Sequence, residues 1–265
     1  MKNIIILLIA FFLLIGISTF YQSQHKKMII SPPKHSLRTK ILKVLMKDKN
    51  TRQHTSLEIL SSKNITIYKD HIALHLFGDQ QLLNNGIRSE ISIDVSFVEN
   101  DIIVYEWAMM LPHGFIHDAP KNRWWSVAQW HDQPDTSKGE SWNNFPSHSP
   151  PVALYFGYLK GKFYLSPVYM YKNPSKDDLI EVKLGQWIKF KIEINWSQVK
   201  RGHLKIWVND QIKPSVYYKG ANMLNSYQHY MKIGMYRSPE IKTNNTIKFK
   251  ELDIRKISNH IMETH

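Results

Sequence analysis

Trp187-Ile188-Lys189-Phe190-Lys191-Ile192-Glu193-Ile194-Asn195 decides the fold. Successive side chains of an extended strand point to opposite faces. Ile188, Phe190, Ile192 and Ile194 therefore share one face, and Lys189, Lys191 and Glu193 share the other. That is a strand lying between a core and water. Burying its four apolar side chains is worth about 2 kcal/mol each before the entropy of ordering is counted.

The same period recurs on both sides of this segment. Strands are expected at Ile65–Tyr68, Ile72–Phe77, Ile87–Phe97, Ile102–Met110, Trp124–Trp130, Val152–Leu159, Lys162–Met170, His203–Val208, Tyr230–Tyr236 and Thr246–Ile254. Lys160-Gly161-Lys162 and Asn209-Asp210 read as hairpin turns between them. Helical periodicity is scarce from Leu57 onward, and no fixed repeat suggests a propeller. Many short strands at this spacing predict an all-β fold, a two-sheet antiparallel sandwich of the jelly-roll kind, over residues 57–265.

The 265-residue chain has no cysteine. Disulfide frameworks, thiolate metal sites, cysteine nucleophiles and acylated-cysteine anchors are excluded. Met1-Lys2-Asn3 precedes an unbroken apolar run, Ile4 to Ile17, with small residues at Gly16 and Ser18. The run suits an export signal over residues 1–24 better than a membrane span; an uncleaved anchor facing outward is the alternative. The formal net charge is +13, and His25 to Arg52 holds nine Lys or Arg against one acid, Asp48. The excess is thus concentrated in a basic linker, residues 25–56. There Leu37, Ile41, Val44 and Leu45 follow helical spacing behind a capping Ser36. Residues 1–52 could touch a membrane or cell wall, or simply dock on the domain edge. With the charge concentrated there and no zinc-finger or phosphate-loop signature, nucleic acid is not an expected partner.

Three strands carry polar residues that solubility does not require. Arg88-Ser89-Glu90-Ile91-Ser92-Ile93-Asp94 aligns Arg88, Glu90, Ser92 and Asp94 on one face. Those groups either pair internally or hold an arginine toward a carboxylate. Gln129 and His131 share a face, with Trp130 pointing away or capping the strand end. Tryptophans around this pair, Trp142 included, would wall a sugar site. In Tyr230-Met231-Lys232-Ile233-Gly234-Met235-Tyr236, Tyr230, Lys232, Gly234 and Tyr236 lie opposite a methionine and isoleucine core face. Gly234 would leave room for a ligand above the sheet. His113 and His117 bracket a loop and read as surface histidines, or His113 as lining a groove.

In order, Arg88-Ser89-Glu90, Gln129-Trp130-His131 and Lys232-Ile233-Gly234-Met235-Tyr236 resemble the jelly-roll, concanavalin-like polysaccharide lyases. Alginate lyases of this architecture carry an Arg-Ser/Thr-Glu strand, a Gln-Ile/Val-His strand and a Lys-Ala-Gly-x-Tyr strand. The heparin lyase I and glucuronan lyase group is the nearer match. It adds a Gly-x-Trp strand, here Gly185-Gln186-Trp187, and a hairpin, here Gly202 to Trp207. Its last strand reads on from Lys232 through Arg237. Trp130 departs from the alginate pattern and turns the reading away from alginate. The resemblance spans about Leu57 to Ile257.

That resemblance implies an enzyme cleaving an acidic, uronate-containing polysaccharide by β-elimination; with the export signal it is expected to act outside the cytoplasm, and as a monomer. The proton removed lies beside a carboxylate, and donors that neutralise the carboxylate act on the transition state. Arg88 and Gln129 supply donors, His131 neutralises the carboxylate or takes the proton, and Tyr236 protonates the leaving oxygen or does both. Lys232, Glu90, Trp130, Arg237 and His113 are the expected substrate-binding residues. No cofactor is required, and a structural calcium enters by family analogy alone. Two other functions fit the fold: a carbohydrate-binding sandwich without catalysis, and a glycoside hydrolase. The hydrolase would need two carboxylates across a cleft at a spacing that Glu90 and Asp94 do not offer.

Overall fold

The computed structural model describes residues 34–47, 54–170, 172 and 174–257, and in it the chain forms two antiparallel sheets of seven strands. The expected export signal, residues 1–24, and the ends of the basic linker lie outside the described residues. Among the described residues no helix is long and apolar enough to cross a membrane.

Among the described residues fourteen strands follow one α-helix, α1 (Lys34–Leu45). They are β1 (His54–Glu58), β2 (Ile65–Ile67), β3 (Ile72–Leu76), β4 (Ile87–Asp94), β5 (Ile102–Met110), β6 (Trp125–His131) and β7 (Val152–Leu159). Then come β8 (Lys162–Tyr169), β9 (Ile180–Val182), β10 (Ile188–Asn195), β11 (His203–Val208), β12 (Val216–Lys219), β13 (Tyr230–Arg237) and β14 (Asn245–Ile257). The first sheet runs β1-β4-β13-β6-β7-β8-β9 and the second β12-β11-β10-β5-β14-β3-β2. Three strands were not legible as such: β1, β9 and β12, each five residues or fewer.

The core is what the alternation foresaw. Ile188, Phe190, Ile192 and Ile194 of β10 are buried, and they meet Ile91, Ile93, Met231, Ile233 and Met235 among others in one apolar cluster. Trp130 lies inside this core, edge-on to Tyr105 at 5.3 Å between ring centres and tilted against Trp107 at 6.3 Å. Lys160 and Gly161 both take positive φ, 50° and 81°, and join β7 to β8 in a two-residue turn at the expected hairpin, with Lys162 already in β8. Such a turn matches the right-handed strand twist.

Helix α1 starts at Lys34, so Ser36 lies within it rather than capping it. Ile41 and Leu45 are fully buried against the sandwich. The chain then bridges in parallel to β14, the Lys47 amide donating to the Leu252 carbonyl at 2.8 Å.

Candidate active site

β13 lies between β4 and β6, and its register assembles the site. Lys232 stands opposite Ser92 and Gln129, Tyr236 opposite Arg88, Gly234 opposite Glu90, and Tyr230 opposite His131. β1 adds Glu58 opposite Glu90. All these side chains lie on the sheet face turned away from the core. Arg88, Glu90, Gln129 and Lys232 are nevertheless only 4%, 0%, 3% and 6% exposed.

They are buried because they satisfy one another. Arg88 Nη1 meets Glu58 at 2.5 Å and Glu90 at 3.3 Å. Lys232 Nζ bonds Glu58 at 2.9 Å, and Gln129 Nε2 donates to Glu90 at 2.7 Å. Arg88 also donates to the carbonyls of Leu83 and Asn84, at 2.9 and 3.2 Å. Burial pushes both carboxyls up. At Glu58, Lys232 and Arg88 overcome this and hold it below its ordinary value. At Glu90, Arg88 and Lys232 offset it only in part, and the carboxyl stays raised. Lys232 is pushed down by burial but held above its ordinary value by Glu58.

The network therefore alters the expected roles of Arg88 and Gln129. Both were assigned to a substrate carboxylate, yet each has its leading donor committed to Glu90 or Glu58. Glu90 is a partner to both rather than a free sugar contact. Glu58 escaped notice because its segment read as the edge of a linker.

Tyr236 closes one end of the network. Its ring lies 3.9 Å from the Arg88 guanidinium carbon and edge-on to Trp124 at 4.7 Å. Its hydroxyl donates to the Asn84 carbonyl at 3.1 Å. Burial raises the phenol, Arg88 offsetting part of the shift. A Cβ on Gly86 would fall 2.2 Å from this ring, so the loop can seat Tyr236 only with glycine there.

His131 lies at the other end. Its ring stacks on Tyr230 at 6.0 Å, and Lys232 Nζ sits 5.3 Å from the Tyr230 ring centre. Tyr230 and Tyr236 are six residues apart on β13, so contacts run unbroken from His131 through Tyr230, Lys232, Glu58 and Arg88 to Tyr236. Burial raises the Tyr230 phenol, and Lys232 offsets part of that. Trp142, 58% exposed, stands edge-on to Tyr230 at 6.0 Å. Trp124 and Trp142 border the two ends of the face, whereas Trp125 and Trp130, also expected among the walls, are buried in the core.

Sequence reasoning missed Asp132. This carboxylate is 1% exposed and lies between two imidazoles, 3.0 Å from His131 Nδ1 and 2.6 Å from His148 Nδ1. Burial pushes it up, and the two histidine hydrogen bonds bring it below its ordinary value.

Three expected substrate contacts are corrected. Trp130 is a core residue, as alternation from Gln129 and His131 requires. Arg237 is fully buried and bonds Asn245 and the Thr243 carbonyl, with Trp125 4.9 Å from its guanidinium. It follows Tyr236 directly, so it points to the opposite face. His113 is exposed at the end of β5 and packs on Gly185, where a Cβ would meet its ring at 2.1 Å. None of the network residues contacts it among the described interactions.

Gly234 also has another cause than ligand space. With Met235 it opposes Val127 alone, a bulge between β13 and β6. Its φ is 147°, and a Cβ would come 2.3 Å from the Ser89 carbonyl oxygen. His117 is half-buried among Trp125, Phe156, Tyr158 and Phe163 rather than beside His113. Among the described residues no group of three or more His, Asp or Glu is disposed to hold a metal.

The fold is a two-sheet antiparallel sandwich with a polar network, an imidazole and two phenols on one outer sheet face. The polysaccharide lyase family model matches residues 44–252, and the chain belongs to that family. It is a polysaccharide lyase.

Three solved structures share the fold. The endo-β-1,4-glucuronan lyase of the fungus Trichoderma reesei is 12% identical, with a TM-score of 0.51 over 78% of this chain and 88% of that one. Alginate lyase Aly36B is 13% identical, with a TM-score of 0.53 over 76% and 87%. The marine alginate lyase AlyA1 of Zobellia galactanivorans is 12% identical, with a TM-score of 0.50 over 74% and 82%. No curated protein sequence matches the chain.

Proposed function

We propose that the protein is an exported lyase that cleaves a uronate-containing polysaccharide by β-elimination, using the outer face of the first sheet. One observation carries this reading: an imidazole, two phenols and two cations share that face in unbroken contact. A uronate carboxylate would be received by the cationic side of the network. Lys232 and Arg88 lie there, with Gln129 beside them, Arg88 and Gln129 having their leading donors held by Glu58 and Glu90. Neutralising the carboxylate lets it accept charge as the enolate forms. His131 takes the proton beside the carboxylate, and a phenol of the same face gives one to the departing glycosidic oxygen: Tyr236, protonated and already a hydrogen-bond donor, which the motif implies, or Tyr230, which stacks on His131 while Tyr236 lies six residues further along β13. The names of the structural neighbours, glucuronan and alginate lyases, support an acidic polymer. The basic start and apolar run Ile4 to Ile17 support export.

Elimination leaves an unsaturated sugar end that absorbs in the ultraviolet. The purified protein is expected to generate that absorbance on at least one member of a panel of glucuronan, heparin-like and alginate polymers. Silence across the panel with saturable binding would make it a sugar-binding sandwich. Tyr236→Phe should lower kcat by about 10²–10⁴-fold, the worth of one positioned proton donor. Tyr230→Phe is the deciding companion: a loss confined to it moves the role to the phenol stacked on His131.

A further inference from the structure

Asp132 binds two histidines that come from different parts of the chain. His131 ends β6, while His148 closes the loop that leads from β6 to β7. Each presents its Nδ1 to a different carboxylate oxygen, His131 to Oδ1 and His148 to Oδ2. A carboxylate in a buried site accepts hydrogen bonds and has no hydrogen to give. Both Nδ1 atoms must therefore be the protonated ones. For His131 this leaves Nε2 as the basic nitrogen, and the ring is still part-exposed on the site face. A free imidazole is a mixture of two tautomers, whereas this one is fixed.

The loop has its own path back to the same histidine. His148 meets Phe145 edge-on at 6.2 Å, Phe145 meets Trp142 at 5.7 Å, and Trp142 meets Tyr230 at 6.0 Å. Tyr230 in turn stacks on His131. One carboxylate therefore governs both the orientation of the imidazole and the attachment of the wall that carries the exposed Trp142.

We infer that Asp132 is a positioning residue for the elimination: it fixes His131 as the Nδ1–H tautomer with Nε2 toward the substrate, and through His148 it clasps the Trp142 wall beside it. The inference rests on His131 serving as the base in the proposed reaction, but its geometric half stands apart from activity. The carboxylate touches no substrate; it acts through the two rings.

The experiment uses the full chain and two readouts. Long-range proton–nitrogen NMR of the wild type at neutral or higher pH should show His131 with Nδ1 protonated and Nε2 bare. The Nε2–H tautomer would overturn the inference whether or not any polymer is cleaved. Asp132→Asn keeps the size but offers an amide that can donate, so it should release the tautomer and lower kcat by about 10²–10⁴-fold. His148→Ala should instead raise KM more than it lowers kcat, because it loosens the wall and spares the tautomer. A wild-type enzyme that cleaves a polymer, with Asp132→Asn folded and equally fast, would sink the inference and leave the lyase reading in place. Absence of cleavage by the wild type with the fixed tautomer present would sink the lyase reading and keep the positioned imidazole.

Discussion

On β10 the outward side chains Lys189 and Lys191 are exposed and Glu193 is half-buried, between four buried apolar residues. On β4 the outward Arg88 and Glu90 are as buried as the inward Ile91 and Ile93. Both strands alternate, and both carry charges of both signs on the outer face. The difference lies in what the charges meet. Lys191 stands over the Trp207 ring at 4.7 Å and Lys189 pairs with the exposed Asp210. Such contacts at a wet surface are worth little. Arg88 and Glu90 are covered by Glu58, Gln129, Lys232, Tyr236 and the loop holding Asn84, so every partner is needed. A buried polar sheet face is costly to build, and here it underlies the face proposed for the sugar.

The contrast can be broken directly. Arg88→Ala leaves Glu58 and Glu90 facing each other with one cation fewer and should cost about 3–5 kcal/mol, the usual loss when a buried ion pair is halved. Denaturant unfolding measures it; a loss below about 1 kcal/mol would mean the face rearranges freely.

pH sharpens it next. His229, fully buried just before β13, donates from Nδ1 to the Tyr227 carbonyl at 3.0 Å and accepts at Nε2 from the Leu224 amide at 3.2 Å. That pairing requires a neutral ring, and burial pushes its pKa down to about 4. The unfolded chain, with an ordinary histidine pKa near 6.5, binds the proton first. Stability is therefore complete above about pH 6.5 and falls as pH drops toward 4, by on the order of 3 kcal/mol. On the second sheet, hydrogen bonds from His203 and Lys205 outweigh burial and hold Glu193 at about 2. Its contribution is present above about pH 4.5 and disappears lower, between 4.5 and 2. Unfolding free energies across pH should resolve the two windows, and a flat profile between 6.5 and 4.5 would mean that His229 is charged in the fold.

The smallest effect completes the comparison. Lys191→Ala should change stability by no more than about 0.5 kcal/mol, like most surface substitutions. A change several times larger in the same unfolding assay would show that the second outer face is also built on interdependent charges.

Alternation made most of the fold legible, because long strands between core and solvent advertise their period. It failed at β1, β9 and β12, three of the short strands. The site was legible where its residues lie two or four apart on long strands: Arg88 and Glu90, Gln129 and His131, Lys232 and Tyr236. Motif resemblance overreached where it ignored alternation. Trp130 and Arg237 are neighbours in sequence of site residues and so face the other way. Asp132 gave no signal because its partner His148 is sixteen residues on, across a loop with no period at all. Gly234 was noticed for the right position and the wrong cause, since a backbone bulge leaves no trace in side-chain pattern.

Glu58 is the last residue of the first strand, yet it balances two cations that arrive thirty and more than one hundred and seventy residues later. A shortened chain that began after it would keep nearly the whole sandwich and lose the counter-ion common to Arg88 and Lys232. Two like charges would then be left side by side beneath the outer face of the first sheet. A trimmed variant of this kind would bind anions more eagerly than the intact protein while holding the proposed catalytic groups less firmly.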